Sequence, residues 1–88
     1  MEGNEEYLRS LLKRIKAGLS VFVPVSNDDA NVFHVQSELS QEEADNLRHH
    51  LDLAEQEGFI EVEFRTEAGV YHVRGLTQKG HDFLMGQS

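Results

Sequence analysis

An α+β domain is what this 88-residue chain predicts, and three observations carry that expectation. Apolar residues recur at three- and four-residue steps over residues 4–17 and again over 40–57, the period of amphipathic helices. Around them, at 19–36 and 59–74, the pattern changes to β-branched and aromatic residues broken by short polar loops, the pattern of strands. Finally, a chain of this length buries only about 60–65% of its unfolded surface and supports one core. Residues 1–88 therefore read as a single domain: helix, β-hairpin, long helix, second hairpin, short C-terminal helix.

The first helix rests on Leu8, Leu11, Leu12 and Ile15, with Tyr7 beside them and Arg9, Lys13, Arg14 and Lys16 elsewhere on the wheel. Glu5 and Glu6 near its start and the bases near its end suit the macrodipole, and Gly18 is a natural stop. Val21-Phe22-Val23-Pro24-Val25 and Val32-Phe33-His34-Val35-Gln36 then read as two strands of a hairpin joined by polar residues 26–31. Pro24 has no amide proton for a ladder, which puts its strand at an edge. Ser40-Gln41-Glu42-Glu43 forms a capping box. The helix it opens runs to about Glu57, burying Ala44, Leu47, Leu51 and Ala54 with Leu53 at the margin, and Gly58 ends it.

The second hairpin carries the most specific expectation. Pairing Arg65 with Val70 around Thr66-Glu67-Ala68-Gly69 sets Phe64 opposite Tyr71 and Val62 opposite Val73 on one face. Glu63 then opposes His72, and Glu61 opposes Arg74, on the other. One register matches both apolar and charged pairs, each contributing about 0.2–1 kcal/mol; a one-residue slip would turn the apolar set to solvent. Thr77 caps a last helix that buries Phe83 and Leu84.

Composition narrows the functional classes. The absence of cysteine excludes disulfides and thiolate chemistry. No apolar run nears the roughly 20 residues of a bilayer span. The N-terminal Met1-Glu2-Gly3-Asn4-Glu5-Glu6 is acidic where a secretory leader is basic, so the expectation is a cytoplasmic protein without a membrane partner. The net charge of −8 is unevenly placed: +1 over residues 1–17, −3 over 18–39, −5 over 40–57 and −1 over 58–88.

Residues 40–84 resemble the helix–wing–helix segment of winged-helix proteins. In particular, Gly75, Leu76, Thr77, Gly80, His81, Asp82, Phe83 and Leu84 are similar to the C-terminal Gly-Leu-Thr-x-x-Gly-His-[Asp/Glu]-Phe-Leu signature of small bacterial and phage winged-helix proteins of unknown function. His50, Leu51, Leu53, Gly58, Phe59 and Ile60 match the helix that precedes it there. The resemblance implies a winged-helix-like fold and a phage or prophage setting, and it implies fold more than activity.

Within such a fold the helix at 40–57 would face a major groove, presenting Gln41, Glu42, Asp45, Asn46, Arg48, His49, Asp52 and Glu55. Gln41, Asn46 and Arg48 are able to read base edges, with Arg65 at the wing. Against this, the carboxylates meet phosphates unfavourably, and one arginine releases few counterions. The β-rich reading of 19–36 also removes the first half of a helix-turn-helix. The leading expectation is thus a non-catalytic protein-interaction module using Gln41, Glu42, Asp45, Asn46, Arg48, His49 and Arg65. A DNA-binding regulator is the alternative, and an acidic nucleic-acid mimic a third. Arg9, Lys13 and Lys16 form a basic stripe suited to an acidic partner or to a second copy in a homodimer.

No enzyme is expected, for no nucleophile–base pair, phosphate loop or dinucleotide fingerprint is present. The histidines do not converge: His49 and His50 point about 100° apart on a helix, and His34, His72 and His81 fall on other elements. The expected roles for His50 and His81 are half-buried packing with a satisfied ring nitrogen, and for His72 a pairing with Glu63. No metal or cofactor is expected.

Overall fold

The computed structural model describes residues 4–86; Met1-Glu2-Gly3, the start of the acidic N-terminus read above, lie outside the described residues. Asn4 opens α1 (Glu5–Lys16), its side-chain oxygen accepting from the Tyr7 amide at 3.0 Å. The stripe of Leu8, Leu11, Leu12 and Ile15 is buried as its spacing requires. These four meet Phe22, Leu51, Ala54, Phe59, Ile60, Tyr71 and Val73 in one core.

Strand β1 is only Val21–Phe22, and it lies at a sheet edge with Pro24 just beyond it. The hairpin expected over 19–36 does not form. Its second half is a helix, α2 (Asn27–Phe33), capped by Ser26, whose hydroxyl accepts from the Asp29 amide at 3.3 Å. His34 takes left-handed backbone angles (φ 58°) and returns its amide to Ala30, closing the helix. Capping and the acidic first turn, Asp28 and Asp29, prevail over the strand preference of Val32 and Phe33. The chain then runs back along the residues before α2: the Asn27 amide donates to the Leu39 carbonyl at 2.8 Å, and the Ser37 hydroxyl donates to the Val25 carbonyl at 2.5 Å. A helix therefore does precede residue 40, and two helices are joined by residues 34–40.

The capping box is realised at α3 (Gln41–Gln56), with both reciprocal bonds present. Ala44, Leu51 and Ala54 are buried, and so is His50, which has no exposed surface. Its Nε2 accepts from the Asn4 amide at 2.9 Å; Nδ1 is 2.7 Å from the Asn46 carbonyl. A backbone amide only donates, so the ring proton sits on Nδ1. Both nitrogens are satisfied, and the start of α1 is pinned to the middle of α3.

Strands β2 (Ile60–Arg65) and β3 (Tyr71–Leu76) form the second hairpin, and β1 joins the far side of β3, giving the antiparallel order β1-β3-β2. Val62 pairs with Val73 as expected, but the rest of the register does not hold. Glu61 stands opposite Gly75, Phe64 opposite His72, and Arg65 opposite Tyr71, with irregularities between Glu61 and Val62 and between Val62 and Phe64. Two opposed bulges explain this: Arg74 is the extra residue on β3 and Glu63 the extra residue on β2. Tyr71 and Val73 stay in the core, while Phe64 turns outward and is 50% exposed. His72 accordingly stacks on Phe64 with ring centroids 4.2 Å apart, and Arg74 is the residue that approaches Glu63, at 3.9 Å.

Helix α4 (Gln78–Leu84) explains the Leu-Thr-x-x-Gly run. Thr77 accepts from the Gly80 amide at 3.1 Å and donates through its hydroxyl to the Gly58 carbonyl, while its own amide donates to the Phe59 carbonyl at 3.0 Å. A Cβ on Gly80 would lie 2.1 Å from the Phe59 carbonyl oxygen, so α4 docks this closely only because residue 80 lacks a side chain. Phe83 then stacks on Phe59 at 4.6 Å. The described residues form a small α+β fold of four helices and a three-stranded antiparallel sheet, compatible with a winged-helix-like fold.

Candidate interaction face of α2, α3 and the β2–β3 loop

The N-terminal half of α3, the end of α2 and the β2–β3 loop share one side of the molecule. They enclose a groove of about 120 Å³ lined by Pro24, Phe33, Gln41, Arg48, Ala68 and Gly69, among others. The apolar part comes from Pro24, Phe33 and Ala68. Phe33 remains 48% exposed and its neighbour Val32 69% exposed. Phe33 was not expected at this face, because α2 itself was not.

Of the expected contact residues on α3, Gln41 and Arg48 line this groove, and both are engaged with Asp45. Asp45 accepts from Arg48 at 2.6 Å and from the Gln41 amide nitrogen at 3.0 Å. Glu42 is exposed. Glu43 holds the cap, and accepting from the Ser40 backbone and side chain lowers its carboxyl pKa below the usual range. The Asn46 carbonyl serves His50. His49 is half-buried with its ring edge-on to His50, and its Nε2 has no hydrogen-bond partner among the described residues.

Arg65 lies at the end of β2 rather than at the wing tip, which is formed by Thr66, Glu67, Ala68 and Gly69. Its guanidinium pairs with Glu55, sits 3.7 Å from Asp52 and covers the Tyr71 ring at 4.8 Å. Tyr71 donates its hydroxyl to Asp52 at 2.5 Å, and burial together with that bond raises its pKa. This network ties the hairpin to α3 and neutralises the arginine. The remaining loop charge is Glu67. Among the described residues, then, Arg48 and Arg65 are both matched by carboxylates, and the face as a whole is apolar at its centre and acidic around it.

On the opposite side, Arg9 donates to the Phe83 carbonyl at 2.7 Å and lies over the Phe83 ring at 4.4 Å. It caps the end of α4, whereas Lys13 and Lys16 are exposed. No three metal-ligating side chains converge among the described residues, and no helix there is long and apolar enough to cross a membrane. Comparison with known proteins adds no assignment: the chain matches no protein-family model, no curated protein and no solved structure.

Proposed function

We propose that this chain is a non-catalytic, winged-helix-like interaction module that binds a protein partner through the face built from α2, α3 and the β2–β3 loop. The element order α1-β1-α2-α3-β2-β3 and the sheet order β1-β3-β2 support the winged-helix reading. The observation that carries the choice of partner is the neutralisation of Arg48 by Asp45 and of Arg65 by Glu55 and Asp52. Duplex affinity comes from cations that displace counterions, and here they are already spent on carboxylates. A protein partner instead gains from Phe33 at the groove, and the exposed, unspent carboxylate of Glu42 favours a basic surface.

The test is a pair of measurements on the full chain. Titration into a labelled duplex at about 50 mM salt should give no saturable binding at micromolar protein. Proteins cross-linked to the wild type in its native cells should be lost with Phe33→Asp and with the pair Glu42→Lys, Asp45→Lys. Submicromolar duplex binding that weakens steeply with salt overturns the reading. It would favour a DNA-binding regulator, the alternative supported by α2 directly preceding α3. In that case Arg48→Ala should relax base preference by about 1–3 kcal/mol.

A further inference from the structure

Strand β3 buries Tyr71 and Val73 and so sends His72 to the other side of the sheet. Register then aligns three residues across that outer side: Val21 of β1 and Phe64 of β2 both stand opposite His72. The Phe64 ring lies nearly parallel to the imidazole, 15° between planes. Val21 remains 43% exposed and Phe64 50%, so among the described residues this row is left partly uncovered. The same hairpin carries Glu61, Glu63 and Arg74, all exposed, and their charges sum to −1. Glu63 and Arg74 meet only loosely, at 3.9 Å.

We propose that this outer sheet face is a two-fold interface with a second copy of the same chain. A two-fold axis sets a patch against itself. Phe64, His72 and Val21 can then pack on their equivalents as two sheets do, about 10 Å apart. Each Arg74 reaches a Glu63 across the axis, so the loose pair within one chain becomes two reciprocal pairs. Charge favours this face over the acidic surface of α3. Copies of a chain with net charge −8 repel one another, most strongly through residues 40–57 at −5, whereas this face is nearly neutral. A basic protein is drawn to α3 instead, leaving the near-neutral sheet to self-association. A six-residue, three-stranded face falls short of the roughly 800 Å² per partner of stable complexes, so the dimer is weak, with a dissociation constant on the order of 100 μM.

Sedimentation equilibrium of the full chain from about 10 μM to about 1 mM should show the average mass rising toward that of two chains. Phe64→Glu should remain monomeric throughout with an unchanged circular dichroism spectrum. Glu63→Arg and Arg74→Glu should each weaken self-association, and mixing the two variants should restore a heterodimer at least tenfold tighter than either variant forms alone. Pairing within one chain cannot produce that rescue. A wild type still monomeric at the highest concentration, or a mixture that associates no better than its parts, overturns the proposal. Duplex binding by a chain that nonetheless dimerises would remove the functional reading and leave this interface standing.

Discussion

Gly80 shows how one missing side chain places an element. Its amide is held by Thr77 and its Cα lies against the Phe59 carbonyl, where a methyl group would overlap the oxygen. Gly80→Ala should lower unfolding free energy by about 1–3 kcal/mol in urea titration, through α4 moving off the sheet. A wild-type midpoint would show that α4 docks less tightly than the geometry requires. His50 makes a different point, since an imidazole with no exposed surface is favoured when both nitrogens are bonded. His50→Leu keeps most of the volume but orphans the Asn4 amide, and should cost about 1–3 kcal/mol. Glu43 has a lowered folded pKa, so its contribution is present above the unfolded value and is lost as pH falls through the folded one. Glu43→Gln should therefore flatten the loss of stability on acidification below about pH 4, and an unaltered profile would contradict that role.

At the scale of elements, α3 and the hairpin are bound by packing in the core and by the Tyr71–Asp52–Arg65–Glu55 network at its edge. Tyr71 has a raised folded pKa, so its stabilisation is full below the unfolded value and is lost as pH rises through the folded one. Alkaline destabilisation should therefore set in above about pH 10 and be reduced in Tyr71→Phe, which itself costs about 0.5–1.5 kcal/mol. Helix α2 is weakly anchored, with seven residues and one buried side chain, Ala30. Ser26→Ala removes its cap and should cost about 1 kcal/mol. Hydrogen exchange should show lost protection confined to residues 27–35. Loss spread evenly through the core would mean that α2 unfolds only with the whole domain.

For the whole molecule, charge separates three surfaces. The basic side of α1 is partly consumed by Arg9 holding α4. The α3 face is acidic with an apolar centre, and the outer sheet is close to neutral. Self-repulsion at −8 opposes the compact state. Raising salt from about 20 to about 200 mM should thus raise the melting temperature, because exposed charges are screened within a Debye length. A fall would mean that the ion pairs on α3 outweigh the general repulsion.

Helices α1, α3 and α4 were legible in the chain because capping residues and apolar spacing act within a few residues: Ser40 with Glu43, Thr77 with Gly80, and Leu8 through Ile15. The same local signal was present for α2 in Ser26-Asn27-Asp28-Asp29, but Val32 and Phe33 suggested strands. Of the candidate face, Gln41, Glu42 and Arg48 were readable as exposed positions of α3, whereas Asp45, Asn46 and His49, expected to be exposed, are half-buried, and Phe33 and the groove were not readable. In the hairpin, the Val62–Val73 pair was readable, as was the position of the turn, although the loop extends through Val70 because Arg65 pairs with Tyr71. The bulges at Glu63 and Arg74 were not, since an extra residue on each strand leaves hairpin length unchanged and no trace in periodicity. Helical propensity and caps are set by near neighbours, so sequence by itself determined which segments become α1, α3 and α4. Phe64 outward, Arg65 against α3 and His50 between two helices were decided only when distant segments met, because burial, ion pairing and hydrogen-bond satisfaction depend on what lies across the core.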